Sequence, residues 1–239
     1  MSAGSSDGTT EQRRRLTRER VLKGAVEVAD AGGLDGLTIR SLAQLLGVKP
    51  MSVYYYVANK DEILDGIIDL VFSEIDLPEV GGDWRTEMRR RASSARRVLR
   101  AHPWAIGLME SRTSPGPATL RHHDVVIAAL RGAGFSQELT AHAYAMLDSY
   151  TYGFALQEAG LPFAESGAVG DVAEPIMERF ASGEYPHLVG MATDYYLQPG
   201  YRFGDEFEWG LDLILDGLAR RRQRSGTAPR IVSTKADGT

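Results

Sequence analysis

Apolar residues recur along most of the chain at intervals of three and four, which is the period of an amphipathic α-helix. Strand-like alternation is almost missing, so the pattern predicts an all-α protein. The first four helices are predicted from Thr17 to Ala31, between Thr38 and Gly47, from Pro50 to Val57, and from Asn59 until shortly before Pro78. Later helices are predicted over 83–101, 103–110, 117–133, 136–159, 171–182 and 205–222, with a short piece near 186–193.

Capping residues mark the ends of the early helices. Thr38 is a plausible N-cap, Gly47 permits a left-handed turn, and Pro50 suits the first turn of the next helix. Asn59 with Glu62 three residues later forms a capping-box pattern. Two short helices joined by "LGVKP" are typical of a helix-turn-helix. An ordinary αα-hairpin within a helical core is the alternative.

Polar segments divide the chain. The stretch "PEVGGD" (78–83) indicates a boundary, and both ends of the chain are polar. We predict a disordered N-terminal tail over 1–15, a helix-turn-helix domain over 16–60 and a connecting helix over 61–78. A ligand-binding and dimerisation domain is predicted over 83–222, followed by a flexible tail over 223–239.

Charge is unevenly distributed along the 239 residues. The net charge is −5, yet the first sixty residues hold nine Lys or Arg against six acids. A basic head on an acidic body favours phosphate binding at the head. The chain has no cysteine, no long apolar run and no apolar signal-peptide core, which predicts a cytoplasmic protein with no membrane partner.

Motifs of enzymes and metal sites are missing from the sequence. There is no phosphate-binding glycine loop, no H-E-x-x-H and no G-x-S-x-G, so we predict that the chain is not an enzyme and needs no cofactor. His122 and His123 are adjacent on a helix whose pattern suggests a solvated surface. Neighbouring helical residues cannot both face one ion, so no metal site is predicted.

One stretch and three shorter motifs indicate a family. The segment "GLDGLTIRSLAQLLGVKPMSVYYYVANKDEIL" resembles the DNA-binding head of the TetR family of bacterial repressors, over about 60 residues. It has the threonine-capped second helix, the "LA..LGV" core, a Tyr midway along the third helix, and "NK" before an acidic helix start. The motifs "RAHPWA", "LRGAGFS" and "TYGFALQE" resemble the tetracycline-repressor class more loosely.

The resemblance implies DNA contacts at particular positions. Arg40 lies where tetracycline repressors place a guanine-reading arginine, and an Arg fork can pair with guanine O6 and N7. A surface salt bridge is the alternative for Arg40. Lys49 departs from the usual Ser or Thr, so it cannot cap the third helix and suits a phosphate or a guanine. Base edges are expected to meet Pro50, Met51 and Ser52, and phosphates to meet Thr38 and Lys60.

The stretch "VYYYV" can be oriented by helical geometry, at about 100° per residue. Val53 and Val57 define the buried direction, and Tyr55 then points outward into the groove. Tyr54 and Tyr56 flank it, with hydroxyls that reach phosphates while the rings pack on neighbouring helices. For Tyr56, plain packing is an equal alternative.

A dimer is expected because one helix-turn-helix makes few contacts, and dimers read half-sites about 34 Å apart. Gly210 and Gly217 on the last long helix would permit close approach. The family resemblance implies a four-helix bundle formed with helix 136–159, although packing inside one chain is the alternative. The predicted interface comprises Phe207, Leu211, Ile214 and Leu218.

A ligand cavity is predicted in the body, because one face of helix 136–159 mixes apolar and polar side chains. Packing with satisfied hydroxyls is the alternative for each of them, and the glycine-rich loop 160–171 could act as a portal. The magnesium–tetracycline site of the resembled class is not expected, since its Glu position aligns with Gln157. The predicted walls are Met146, Tyr150, Phe154 and Gln157, with Trp104, Leu108 and Met109 opposite.

These features predict a dimeric transcriptional regulator that acts as a ligand-responsive repressor. Two heads bind double-stranded operator DNA with a near-palindromic sequence, and an unknown small hydrophobic effector shifts the population off DNA. An activator, or a regulator without a ligand, fits the same residues. The alternative from another class is a helical small-molecule carrier or enzyme with a vestigial DNA-binding head.

Overall fold

The computed structural model describes residues 16–109, 111–161 and 184–227, and these parts contain helices and no strand. The prediction of an all-α chain is confirmed. The described chain divides into two compact units, one ending at Ile67 and the other beginning at Ile68. No helix in the described ranges has the length and apolar character needed to cross a membrane.

The first unit contains three helices and the start of a fourth: α1 (Arg18–Gly36), α2 (Ile39–Leu46), α3 (Pro50–Val53) and α4 (Lys60–Glu74). Thr17 caps α1, and the helix is kinked at Gly33, where φ is 66°. The predicted stop at Gly32 and Gly33 therefore appears as a kink, and helical structure continues to Gly36. The core of the first unit is formed by Val21, Leu22, Ala25, Ala29, Leu37, Leu42, Ala43, Val53, Val57, Ile63 and Ile67.

The start of α4 is held by two kinds of contact. The Asn59 side chain accepts a hydrogen bond from the Glu62 amide at 2.8 Å, as the capping-box pattern predicts. The Glu62 carboxylate accepts from the amide of Ala58 at 2.7 Å and pairs with Arg18 at 3.1 Å. These contacts lower the pKa of Glu62, with the Ala58 hydrogen bond as the largest cause. They also join the first turn of α1 to that of α4.

The second unit contains the end of α4 followed by α5 (Trp84–Ala101), α6 (Ile106–Met109), α7 (Pro117–Gly132), α8 (Gln137–Gly160), α9 (Pro186–Met191) and α10 (Glu206–Thr227). Short 3₁₀ turns lie at Pro103–Ala105 and Phe203–Asp205, and a π-helical turn lies at Ala192–Tyr196. The predicted tail from residue 223 is partly wrong, because α10 continues to Thr227. The predicted helix 171–182, residues 162–171 of the predicted loop 160–171, the predicted tail 1–15 and residues 228–239 lie outside the described residues.

Two apolar clusters form the core of the second unit. The larger one joins α5, α7, α8 and α10 around Met88, Leu130, Leu147 and Phe207. The smaller one joins the end of α4 to α5, α6 and α8 around Phe72, Leu99 and Tyr152. Helix α8 contributes residues to both clusters, so this helix of 24 residues is the central element of the second unit.

Ion pairs fasten α5 to its neighbours. Arg85 and Arg89 on α5 pair with Asp212 on α10, and Arg89 also lies 3.6 Å from Glu208. The Arg96 guanidinium donates to both oxygens of Glu158 on α8, at 2.8 Å and 2.6 Å. Paired guanidinium–carboxylate contacts fix orientation as well as distance, so the basic stretch of α5 is largely used to hold helices together.

Candidate functional site

The turn between α2 and α3 has the geometry of a helix-turn-helix. Gly47 ends α2 in the left-handed region, with φ 67° and ψ 34°, which favours glycine because it has no Cβ. Lys49 is extended and makes no side-chain cap, and Pro50 occupies the first turn of α3. The local sequence therefore positions α3 without a capping side chain, as the absence of Ser or Thr at position 49 implied.

The third helix is shorter than predicted. It ends at Val53, and a hydrogen-bonded turn covers 54–56, so the predicted end at Val57 is wrong. The turn still closes a helical bond, since the Val57 amide donates to the Val53 carbonyl at 3.3 Å. Val53 and Val57 therefore still point to the same inner side, and both are buried.

The three tyrosines differ in exposure. Tyr55 is 85% exposed and Tyr54 is 45% exposed, whereas Tyr56 is intermediate. Met51, at 71%, is the other large exposed side chain of this segment, and Ser52 is intermediate. Because large apolar side chains that stay exposed do not stabilise the fold, this surface is suited to a partner.

Basic side chains surround these exposed residues in sequence. Arg40, Lys49 and Lys60 are exposed, and none of them pairs with an acid in the described part of the chain. The alternative of a salt bridge for Arg40 is therefore not observed there. Pro50 is exposed as well. The Thr38 hydroxyl accepts from the Ser41 amide at 3.0 Å while Thr38 remains exposed, so its first role is to cap α2.

Most of the predicted dimer stripe on the last helix lies in the core of its own chain. Phe207 and Leu211 have no exposed surface and Leu218 is 3% exposed, because all three pack in the larger core cluster of their own chain. Ile214 is only partly buried against that cluster. The spacing of the stripe was correct for an apolar face, but the sequence did not distinguish the core from an interface.

The two glycines of α10 have different environments. A Cβ on Gly210 would collide with the Tyr150 side chain of the same chain, whose hydroxyl donates to the Phe207 carbonyl at 2.9 Å. A Cβ on Gly217 would meet nothing within 4 Å. Gly210 therefore accommodates a contact within the chain. Of the two glycines, Gly217 keeps the open space that would permit close approach of a partner helix.

A groove of ≈ 1050 Å³ runs between α8 and α10, and Ile214 and Leu218 of the predicted stripe lie along it. Its lining includes Met146 and Leu213, each 52% exposed, together with Ile214 and Gly217. Trp209, at 67%, adds another exposed apolar side chain on α10. Exposed apolar surface of this kind on two adjacent long helices is typical of a protein interface.

The seven predicted ligand residues are not brought together. Met146 and Tyr150 both line the outer groove, and Gln157 is exposed. Tyr150 and Phe154 pack with the larger core cluster, where Phe154 stacks on Phe203 with centroids 4.7 Å apart. The remaining three belong to the smaller cluster, so one cavity walled by all seven does not form; these three are Trp104, Leu108 and Met109.

A buried polar cluster that was not predicted from the sequence lies between α5, α7 and α8. It consists of Arg91, His122, Asp148 and the partly buried Tyr144. Arg91 Nη1 lies 2.6 Å from Asp148 Oδ1, and Arg91 Nε donates to His122 Nε2 at 3.1 Å. Arg91 is 1% exposed and His122 is fully buried, so the expectation of a solvated surface at His122 is wrong.

Burial sets the protonation states of this polar cluster. The pKa of His122 is lowered to about 3, with desolvation as the largest cause and the charge of Arg91 as the second. Burial raises the pKa of the Tyr144 hydroxyl, and the negative charge of Asp148 adds to that effect. The cluster at neutral pH therefore holds a cationic Arg91, a neutral His122 and a neutral Tyr144.

The sequence did contain a signal for this cluster. His122 stands three residues after Thr119 and four before Val126, both buried, so it lies on the inner stripe of α7. Arg91 likewise falls between Met88 and Ala95 on the buried stripe of α5. Polar residues at inward-facing positions of a helix are informative because burial of charge requires a partner.

Metal ligands do not converge in the part of the chain that the structure describes. Across residues 16–109, 111–161 and 184–227, no three His, Asp or Glu side chains could hold one ion. His122 and His123 place their ring centroids 5.9 Å apart at a steep angle. The Tyr144 hydroxyl and the Nδ1 atom of His123 form a hydrogen bond, so this nitrogen already has a partner within the protein.

Comparison with known proteins agrees with this architecture. Residues 21–67 match the family described as bacterial regulatory proteins, tetR family, and residues 77–222 match the tetracyclin repressor-like C-terminal domain. The chain is 35% identical over 223 residues to the HTH-type transcriptional repressor DrrR1 of Streptomyces coeruleorubidus, covering 88% of this chain and 81% of that protein.

Two further relatives extend the similarity. The tetracycline repressor protein class A from transposon 1721 of Escherichia coli is 29% identical, covering 87% of this chain and 93% of the repressor. The crystal structure of the Streptomyces coelicolor TetR family protein ActR in complex with actinorhodin has a TM-score of 0.71 at 29% identity, covering 87% and 99% of the two chains. The chain therefore belongs to the tetR family of bacterial regulatory proteins, which are DNA-binding transcription regulators rather than enzymes, and has a tetracyclin repressor-like C-terminal domain.

Proposed function

We propose that this protein is a dimeric cytoplasmic repressor that binds a near-palindromic operator through its first unit and leaves DNA when its second unit binds a small, largely hydrophobic effector. The observation that supports it best is the exposed surface around α3, where Met51 and Tyr55 project beside unpaired basic residues. DrrR1 is named a repressor, and ActR has been crystallised with actinorhodin. Both names make the same role reasonable here.

Within the first unit, the contacts divide by chemistry. Arg40 suits a guanine edge, and Met51 and Pro50 offer only apolar contact, for example to thymine methyl groups. Ser52 can donate or accept at a base edge. Lys49, Lys60, Thr38 and the hydroxyls of Tyr54 and Tyr56 suit phosphates, which position the protein without reading the sequence.

The binding test is a gel shift with fragments of the protein's own upstream region, repeated across salt concentrations. A specific retarded band whose affinity falls steeply with salt is expected, because Lys and Arg release counterions from phosphates. If the protein retards none of the fragments, the proposed repressor function is contradicted. A weak band insensitive to salt would instead favour a carrier with a vestigial head.

Replacing Tyr55 with Ala should lower operator affinity by about tenfold while leaving the melting temperature unchanged. The reason is that an 85% exposed ring contributes little to the fold but offers a large surface to the groove. Affinity is measured by gel shift and stability by thermal unfolding. Val53→Ala is the matched control, because truncation of this buried valine should lower the melting temperature. A large loss of stability in Tyr55→Ala would contradict a groove-facing role for Tyr55.

We propose the groove between α8 and α10 as the dimer surface. This groove keeps Ile214 and Leu218 of the predicted stripe and leaves Phe207 and Leu211 in the core. A two-fold interface brings the same patch from both copies together, and Met146, Leu213 and Ile214 then meet their own equivalents. The exposed apolar side chains and the open position at Gly217 support this choice. Dimerisation also sets the spacing of two DNA-binding heads.

Replacing Leu213 with Asp should convert the dimer to a monomer at micromolar concentration, since a charge would be desolvated at each copy of the groove. Sedimentation velocity measures the change. Leu120→Asp is the matched control, because Leu120 on α7 is also an exposed leucine, at 55%, but does not line the groove. If both variants dissociate, or neither does, the groove is not the dimer surface.

A further inference from the structure

Three tyrosines that precede α10 form an exposed aromatic surface. The rings of Tyr195, Tyr196 and Tyr201 contact one another in pairs, with centroids 5.2 to 5.6 Å apart and planes inclined by 62° to 66°. We call these three residues the tyrosine triad. Tyr195 is 48% exposed and Tyr196 is 40% exposed. Aromatic side chains carry a large apolar area, so three of them together at the surface are suited to a partner.

The backbone holds the triad in a defined arrangement. Tyr195 and Tyr196 end a π-helical turn, which is a rare conformation that often occurs at functional sites. The Gln198 amide then donates to the Tyr195 carbonyl at 3.2 Å, and the Tyr201 amide donates to the Gln198 carbonyl at 3.1 Å. These two turns return Tyr201 to the other rings.

Edge-on packing within the triad leaves ring faces open. Each edge-on contact covers one face of one ring, so the three contacts cover three of the six faces. The exposure of Tyr195 and Tyr196 shows that part of the remaining area meets solvent. A cation about 5 Å above the plane of the three centroids would lie within about 6 Å of each, the range over which a ring quadrupole attracts a cation.

Carboxylates give this surface a negative potential. The Tyr195 hydroxyl donates to Glu206 Oε1 at 2.8 Å, and this hydrogen bond and the charge of Glu206 raise the pKa of Tyr195. Desolvation and the charge of Glu206 raise the pKa of Tyr201 to about 12. The neighbouring Arg202 is balanced by Asp205 at 2.8 Å. Glu206 forms no ion pair in the part of the chain that the structure describes, so a bound cation would complete the charge balance.

The open ring faces favour one kind of cation. A ring face accepts no ordinary hydrogen bond, so a metal ion or a protonated amine would lose water there without replacement. A quaternary ammonium group has no N–H donors and holds its water weakly. Its carbon atoms also match the apolar area of the rings, while its charge matches the negative potential. An anion or a neutral apolar group gains nothing from that potential.

We propose that the tyrosine triad is a surface binding site for a quaternary ammonium group, held over the ring faces and balanced by Glu206. The site is separate from the core of the second unit, since none of the three tyrosines belongs to either apolar cluster. The inference goes beyond the proposed function and does not depend on DNA binding.

The test is a ligand-observed NMR titration of the full-length protein with three small probes. Tetramethylammonium is the quaternary cation, methylammonium is a cation with N–H groups, and tert-butanol is a compact neutral molecule. Sodium chloride is exchanged against each salt, so that the ionic strength stays constant. Tetramethylammonium is expected to bind about tenfold more tightly than either of the others. Equal binding of tetramethylammonium and tert-butanol, or of the two cations, would overturn the inference.

Two variants at Tyr196 separate the ring from its bulk. Tyr196→Leu keeps an apolar side chain but removes one ring, so the preference for tetramethylammonium over tert-butanol should fall about threefold. Tyr196→Phe keeps the ring and should keep the preference. Tyr185→Leu is the matched control, because Tyr185 is also an exposed tyrosine, at 52%, outside the triad. A preference that survives Tyr196→Leu unchanged would show that the triad has only a structural role and would refute the site.

A third variant tests the charge. Glu206→Gln keeps an acceptor for the Tyr195 hydroxyl, so tetramethylammonium should bind about fivefold more weakly while tert-butanol is unaffected. Glu138→Gln is the matched control, because Glu138 lies in the first turn of α8 as Glu206 lies in the first turn of α10. Unchanged binding in Glu206→Gln would contradict the proposal. If no probe binds and Tyr196→Leu lowers the sedimentation coefficient, a second copy covers the triad and the inference is refuted.

Discussion

Replacing Arg91 with Met should lower the free energy of unfolding by about 3–5 kcal/mol, the loss typical of breaking a buried ion pair on one side. The guanidinium is 1% exposed and lies 2.6 Å from the carboxylate of Asp148, which is 6% exposed. Without Arg91 that carboxylate stays in the interior with no cation. The measurement is urea unfolding at fixed protein concentration, because the proposed dimerisation would contribute to apparent stability.

Two comparison variants separate the charge effect from a loss of packing. The double variant Arg91→Met with Asp148→Leu should recover most of the stability, since apolar residues often replace a buried ion pair at little cost. Arg97→Met, on the same helix but with a 68% exposed side chain paired to Asp76 at 3.7 Å, should change stability by less than about 1 kcal/mol. A double variant as unstable as Arg91→Met alone would contradict the charge explanation.

Lowering the pH should destabilise the protein through protonation of His122. The free energy of unfolding should fall by about 1.4 kcal/mol per pH unit between the unfolded and the folded pKa of this histidine. The folded pKa is lowered to about 3, whereas an unfolded histidine titrates near ~6.5. Between these values the unfolded chain binds a proton that the folded chain excludes. The contribution of His122 is therefore fully present above about pH 6.5 and is lost as the pH falls toward 3.

Urea unfolding at several values between pH 7 and pH 4 measures this dependence. His122→Gln should make the dependence shallower by about the amount that one histidine contributes, because glutamine does not titrate. His187→Gln is the matched control, since His187 on α9 is exposed and should leave the slope unchanged. An unaltered slope in His122→Gln would show that His122 is not kept neutral by burial.

Local chemistry was sufficient to predict the first unit. Thr38, Gly47 and Asn59 each act on backbone groups a few residues away, so their effects are readable from spacing alone. The orientation of Val53 and Val57 likewise follows from helical period. The end of α3 at Val53 was not predicted, because a turn and a helix present nearly the same local bonds over 53–57.

The sequence by itself determined the all-α class, the helix-turn-helix and the family, since each depends on short-range spacing and capping. Only the tertiary structure decided which apolar face of α10 is core, because Phe207 and Leu213 both stand at helical spacing and differ only in what packs against them. It also decided that Arg91, His122 and Asp148 meet. Those residues come from three helices, and contact between helices depends on long-range packing that no local pattern specifies.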